Sequence, residues 1–319
     1  MTRTLPTLAV DMDYDKARYP LWIFPKIDGV RAQHFHGHLA GRSMDAFKNT
    51  ALVAKFTNAA YEGFDGELTI DGRLTGDDLC SATTGLTLRA KLKKGETELP
   101  TNAVLNLFDW LHPDVAHLTY GERYQALELY LDALQDDENI SLLPYEVVNN
   151  ADEARALAAK YSAIYEGAIF RDPKAKHKSG RATAKGNDFW RDKPVSDKDC
   201  IITGFEEAET NNNEAKINSL GRTERSSHKE NKVGNGMVGT ILATDVLSGQ
   251  PIRLGPGAMT HDERIAAFNE PALVVGHPAK YRSLDTGVKD APRHARFVTL
   301  RSRQDMTPAD LALIAKLGL

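Results

Sequence analysis

The sequence predicts an α+β protein in two domains, and three observations carry that prediction. Short apolar runs bounded by turn residues alternate through most of the 319 residues. Stretches with helical apolar spacing interrupt them, and the composition shifts after Pro194. Residues 21–24, 64–70, 104–110, 140–144 and 168–170 read as strands of a mixed sheet. Residues 122–134 and 151–165 read as helices, the second with Asn150 placed to accept hydrogen bonds from its open first-turn amides. Residues 195–199 read as a linker, so the expected domains are 1–198 and 199–319. In the second part, 200–205, 237–246 and 272–275 are expected strands. Thr260 with Glu263 forms a capping box ahead of a short helix. A last helix is expected over 307–317, with Thr307 as cap, Pro308 at its first position and Gly318 as its stop. Residues 210–236 are polar, with three successive asparagines, and read as a long flexible loop that could order on a polyanion.

Composition narrows the class. Hydrophobic content of 41% and charged content of 26% are ordinary for a soluble globular protein. The first 25 residues carry no secretory pattern, and no run is long enough to span a membrane, so a cytoplasmic site is expected, the host's if the source is viral. The two cysteines, Cys80 and Cys200, form no CxxC pair; they exclude a four-cysteine zinc site and read as buried thiols in a reducing compartment. Net charge is −4, and residues 199–319 hold 15 basic and 15 acidic side chains. Neither half is a basic tail, so a nucleic-acid partner must be met by a local basic face.

The sharpest local signal is Lys26-Ile27-Asp28-Gly29-Val30-Arg31. An expected strand leads into it, another leaves it, and Asp-Gly marks a turn. A lysine at a strand end beside an acid and an arginine suits covalent work on a phosphate. Its amine must be neutral to attack, and nearby cations promote that. An arginine can grip a phosphate through two parallel hydrogen bonds.

That hexad resembles the nucleophile motif of the ATP-dependent ligases and capping enzymes, the covalent nucleotidyltransferase superfamily. Further segments resemble its other motifs, in order. They are Gly41-Arg42-Ser43 with Phe47, Phe64-Asp65-Gly66-Glu67-Leu68, Leu107-Phe108-Asp109, Glu166-Gly167-Ala168-Ile169-Phe170-Arg171 and Trp190-Arg191-Asp192-Lys193-Pro194. Pro292 through Arg301, then Asp305, resembles the last motif of DNA ligases, and Lys280-Tyr281 the strand before it. The resemblance, closest to the small two-domain ligases of bacteriophages and some bacteria, implies a nucleotidyltransferase (ATP-grasp-like) domain with mixed antiparallel sheets, then an OB-fold barrel. It implies ATP and Mg²⁺ as cofactors and Lys26 as the AMP carrier. Arg31 and Arg42 would hold phosphate, Glu67 the ribose, Phe108 the adenine, and Arg191 and Lys193 the α-phosphate. Arg293 and Arg301 would meet the leaving pyrophosphate or orient ATP during the first step. Glu166, with Asp28, would serve the metal. Arg42, Lys178, Arg181 and Lys280 are the candidates to touch DNA.

Three positions depart from the pattern. Phe24-Pro25 precedes Lys26 where many relatives carry an acid, which leaves the Phe24 carbonyl to read adenine. Arg191 stands where a lysine is usual, and Ala295 where a proline is. The expected activity is ATP-dependent sealing of nicked duplex DNA by a monomer, in repair, replication or recombination. An RNA ligase or capping-type enzyme is the nearest rival, and a catalytically silent nucleic-acid binding module a more distant one. NAD as AMP donor is not expected, because only 25 residues precede Lys26 and no zinc site follows.

Overall fold

The computed structural model describes residues 5–134, 137–284, 291–302, 304 and 307–318. Asp305, the end of the last expected motif, lies outside them. The chain divides into two compact units, Met1–Pro194 and Val195–Leu319.

Two five-stranded sheets build the first unit. One runs, edge to edge, Val10–Asp11, Phe189–Asp192, Gly167–Arg171, Leu21–Lys26 and Glu146–Val148. The other runs His38–Gly41, Val30–Phe35, Phe64–Ile70, Ala103–Trp110 and Ile140–Leu142. The unbroken apolar run at 21–24 follows from burial on both faces. Side chains alternate across a strand, so Leu21 and Ile23 pack with Phe170 and Trp190 under the Ala151–Ser162 helix. Trp22 and Phe24 point the other way, into a cluster with Tyr120, Tyr124 and Leu143. Asn150 caps the Ala151–Ser162 helix as expected, its side chain accepting from the Glu153 amide. The Tyr120–Leu134 helix gives Tyr120 and Tyr124 to that same cluster and Leu127 to the core of the second sheet.

The Lys26–Arg31 hexad is the crossover between the two sheets. Lys26 pairs with Gly167 in the first, and Val30 with Leu68 in the second. Only Ile27, Asp28 and Gly29 span the gap. At Gly29 the second sheet comes so close that a Cβ would lie 2.5 Å from the Leu68 carbonyl oxygen.

The second unit is a closed barrel. Its strand order is Pro251–Leu254, Lys232–Asp245, Val195–Asn211, Pro278–Leu284 and Arg293–Leu300. The two outer strands meet where Gly255 exchanges backbone hydrogen bonds with Ala295 and Phe297. The first strand curls through three register shifts between Ile202 and Glu209, which supply the bend that closure needs. The His261–Asn269 helix, opened by the expected Thr260–Glu263 capping box, packs on the Lys232–Asp245 strand.

Several expectations fail here. Residues 195–199 are not a linker but the start of a strand paired from Val195↔Leu284 to Asp199↔Lys280. Residues 210–236 are not a loop. The Val195–Asn211 and Lys232–Asp245 strands extend as a ribbon, topped by a ladder of Ala215–Ile217 on Thr223–Arg225. Asn213 holds that tip, its amide donating to the Ser226 and His228 carbonyls at 2.9 and 2.7 Å. Residues 272–275 are not a strand, because Pro271 opens a 3-10 turn, Pro271–Leu273. Cys200 is buried, but Cys80 is only half-buried.

Candidate active site

A cavity of about 320 Å³ opens between the two sheets of the first unit. Seven of the expected residues line it: Phe24, Lys26, Arg31, Arg42, Glu67, Phe108 and Arg191. The register explains the grouping. Lys26 ends a strand of the first sheet, while Arg31 and Glu67 sit opposite one another in the second.

Glu166 organises the end of the Lys26 strand. The Lys26 ammonium donates to one of its carboxylate oxygens and the Lys193 ammonium to the other. The Glu166 side chain is 2% exposed, against 20% for Lys26 and 24% for Lys193. Burial works against the Glu166 charge, but the two flanking ammoniums outweigh it and hold the carboxyl below the usual range. Burial, then the neighbouring Lys26 cation, pushes the Lys193 amine down. The geometry depends on Gly167. Its φ of +148° and the space beside it allow the Asp192 carbonyl to approach to where a Cβ would stand 2.1 Å away. Lys193 therefore reaches the same carboxylate as Lys26.

Arg31 is fixed before any ligand arrives. Its Nε donates to Asp65 at 2.9 Å and its Nη1 to the Thr7 carbonyl at 2.6 Å. It presents a partnered cation, not an open fork, and lies 5.3 Å from the Phe108 ring centre. Burial pushes the Glu67 carboxyl up to about 7, against the opposing pull of Lys26 and Arg31. Burial, then Arg31, Arg181 and Arg191, presses the Arg42 guanidinium down. Arg31, Arg42 and Arg191 line the cavity, and with Arg181 they make its mouth cationic, which favours an anion there. Arg191 shares its charge with exposed Asp11 at 2.7 Å, Arg181 donates to the Ala9 carbonyl at 3.3 Å, and Lys178 is exposed. Asp28 sits half-buried in the crossover, two residues after the nucleophile. Among the described residues no group of three or more His, Cys, Asp or Glu could hold a metal by itself.

Lys280, Arg293 and Arg301 belong to the second unit. Lys280 and Arg293 lie on the adjacent Pro278–Leu284 and Arg293–Leu300 strands, and Arg301 pairs with Asp199 at 2.9 Å.

Sequence reasoning passed over the floor of the cavity. Asp109 accepts two hydrogen bonds from Arg123, at 2.8 and 2.9 Å, and one from Arg171 at 2.9 Å. Tyr120 donates to the Phe108 carbonyl at 2.8 Å. The signal was present: Asp109 interrupts the apolar run Leu107–Leu111 and Arg171 ends the run Ala168–Phe170, and a charge buried there requires a partner.

This arrangement, a unit of two five-stranded sheets followed by a barrel, is the fold of solved two-domain DNA ligases. Solved structures bear that out at the level of fold. A Lig E DNA ligase, described as binding DNA with a minimal scaffold, matches with a TM-score of 0.69 at 19% identity, over 94% of this chain and 100% of that one. The structure named Pmar-Lig_Pre matches with a TM-score of 0.68 at 17% identity, over 94% and 68%. The Chlorella virus DNA ligase–adenylate matches with a TM-score of 0.51 at 20% identity, over 95% and 99%. No family model matches the chain, and no curated protein does.

Proposed function

We propose that the chain is an ATP-dependent DNA ligase that seals 5′-phosphate/3′-hydroxyl nicks in duplex DNA through a Lys26–AMP intermediate. The observation that carries this reading is a single cavity in which a strand-end lysine shares a buried glutamate with a second lysine, facing a cationic mouth and an aromatic wall. Its volume suits a small-molecule site.

The reaction has three steps. The Lys26 Nζ, after losing its proton, bonds to the α-phosphorus of ATP as the bond to pyrophosphate breaks. A 5′-phosphate oxygen of the nick then takes the AMP from Lys26, leaving an adenylated DNA end. The 3′-hydroxyl attacks that phosphate, forms the strand bond and releases AMP. Lys193, with Arg191, holds the α-phosphate. Glu67 accepts from the ribose hydroxyls, Phe108 stacks on the adenine, and Arg293 and Arg301 meet the pyrophosphate. Hard carboxylate oxygens that leave most of the shell to phosphates and water fit Mg²⁺, with Glu166 and Asp28 nearest. When bound, it neutralises phosphate charge.

Arg42, Lys178, Arg181, Lys280 and the ribbon tip contact the DNA backbone, so binding weakens as salt rises. In this reading the residues up to Pro194 transfer the adenylate and those from Val195 onward form the OB-fold domain. The enzyme works as a monomer in the cytoplasm; among the described residues no helix is long and apolar enough to cross a membrane.

A sealing assay tests this, comparing nicked duplex DNA with single-stranded RNA, each with ATP and with NAD. Sealing of DNA with ATP alone is expected. RNA joining without DNA sealing would move the assignment to an RNA ligase, and no AMP adduct with ATP would end it.

A further inference from the structure

The strand end that leads to Lys193 carries a charge to which the proposed reaction gives no task. In Arg191-Asp192-Lys193 the middle residue is a carboxylate between two cations. Side chains alternate across a strand. Arg191 pairs with Ile169, and both line the cavity. Asp192 pairs with Ala168, which packs in the core on the opposite face. Lys193 therefore has two carboxylates for neighbours: Glu166, which it meets, and Asp192, one residue back on the other side of the strand.

Asp192 is engaged from behind. The Tyr14 hydroxyl donates to one of its carboxylate oxygens. Tyr14 is itself fixed. Its ring meets Phe170 edge-on, with centres 6.0 Å apart, and the Arg155 guanidinium lies 4.9 Å from its centre. The strand just before it, Val10–Asp11, pairs with Trp190 and Arg191. Burial, then the bond to Asp192, pushes the Tyr14 phenol up, so it stays a donor across the working pH range. A half-buried carboxylate deprived of its donor takes the nearest cation. Lys193 lies just past the last paired residue, Asp192, where its long side chain is free to turn back.

We propose that Tyr14 is a positioning residue for the adenylation step. By holding the Asp192 carboxylate away from Lys193, it leaves that ammonium to Glu166 and the α-phosphate. The inference rests on the adenylating reading of the cavity and adds the group that keeps a competing acid out of it.

The test measures the single-turnover rate of Lys26 self-adenylation by the full chain at saturating ATP. Y14F keeps the ring and removes only the hydroxyl. It is expected to slow the step about tenfold, the size of one hydrogen bond to a charged acceptor. D192N removes the competing charge and should adenylate close to the natural rate. The double variant Y14F/D192N should recover to that same level, because no carboxylate remains to draw Lys193 away. A merely structural bond would behave differently: losing it would slow the step whichever end was changed, and the double variant would stay slow. A natural rate in Y14F, or a double variant as slow as Y14F, would overturn the proposal. Failure of the natural enzyme to form any adduct with ATP would instead overturn the ligase reading itself.

Discussion

The two units differ in whether they enclose charge. The first carries exposed pairs such as Arg155–Asp15, but it also sinks pairs around its cavity: Arg31–Asp65, Arg123–Asp109 and Arg171–Asp109 are nearly enclosed, and Glu166 lies under its two lysines. In the second, the pairs ride on the outside of the barrel, as Arg253–Glu206 and Arg282–Asp197 do. The barrel's interior is instead apolar, built from residues such as Ile202, Ile241, Leu254 and Ala279. The contrast teaches where each unit's precision comes from. Buried pairs fix reactive groups in place without adding much stability, and breaking one strands a charge. Exposed pairs contribute little to stability and leave a surface free to exchange partners.

Four experiments break or sharpen that contrast. The largest effect falls on the nucleophile. Lys26→Ala should lower radiolabel transfer from ATP by at least about a thousandfold, the scale of losing a covalent catalyst. Retained labelling of the variant would sink the assignment.

Next comes the buried floor. Asp109→Ala leaves Arg123 and Arg171 enclosed without their anion, and should cost about 3–5 kcal/mol of stability in urea unfolding. A loss below 1 kcal/mol would mean the floor relaxes.

Glu67 gives a smaller, pH-dependent effect. Burial raises its carboxyl to about 7, so below that pH it is protonated and a weaker acceptor for the ribose hydroxyls that the proposed reaction places there. Adenylation should fall as pH drops through about 7, and the residual activity of Glu67→Gln should lack that limb. An unchanged limb in the variant would assign the titration to another group.

The smallest effect tests the outer surface. Asp197→Asn removes the partner of exposed Arg282 and should leave the melting temperature unmoved. A clear drop would place the second unit's charges in the same structural role as the first's.

The site was legible in the sequence where its residues are contiguous. Phe64 to Leu68 and Glu166 to Arg171 each sit on one strand or its end, and Lys26 to Arg31 joins two strands through only three residues, so order along the chain preserves order in the cavity. What joins distant segments was not legible. Nothing in the hexad says that Lys26 and Val30 enter different sheets, because a hairpin would have the same turn residues. The clamp of Arg123 and Arg171 on Asp109 joins a helix to two strands of different sheets and has no local spacing. The ribbon at 210–236 was misread for another reason. Both faces of its strands meet solvent, so they lack the alternation that marks a half-buried strand. Partners such as the Ser226 carbonyl for Asn211 and Asn213 sit more than ten residues away. The barrel's core strands, with one face buried, kept their pattern.

The crossover has a mechanical consequence for the loaded enzyme. Lys26 belongs to one sheet and Phe108 to the other, with three residues bridging them. On the proposed reading, an AMP bonded to Lys26 and stacked on Phe108 would be a strut, welded to one wall of the cleft and leaning on the opposite one. Loading would then stiffen the frame, and handing the nucleotide on would remove the brace.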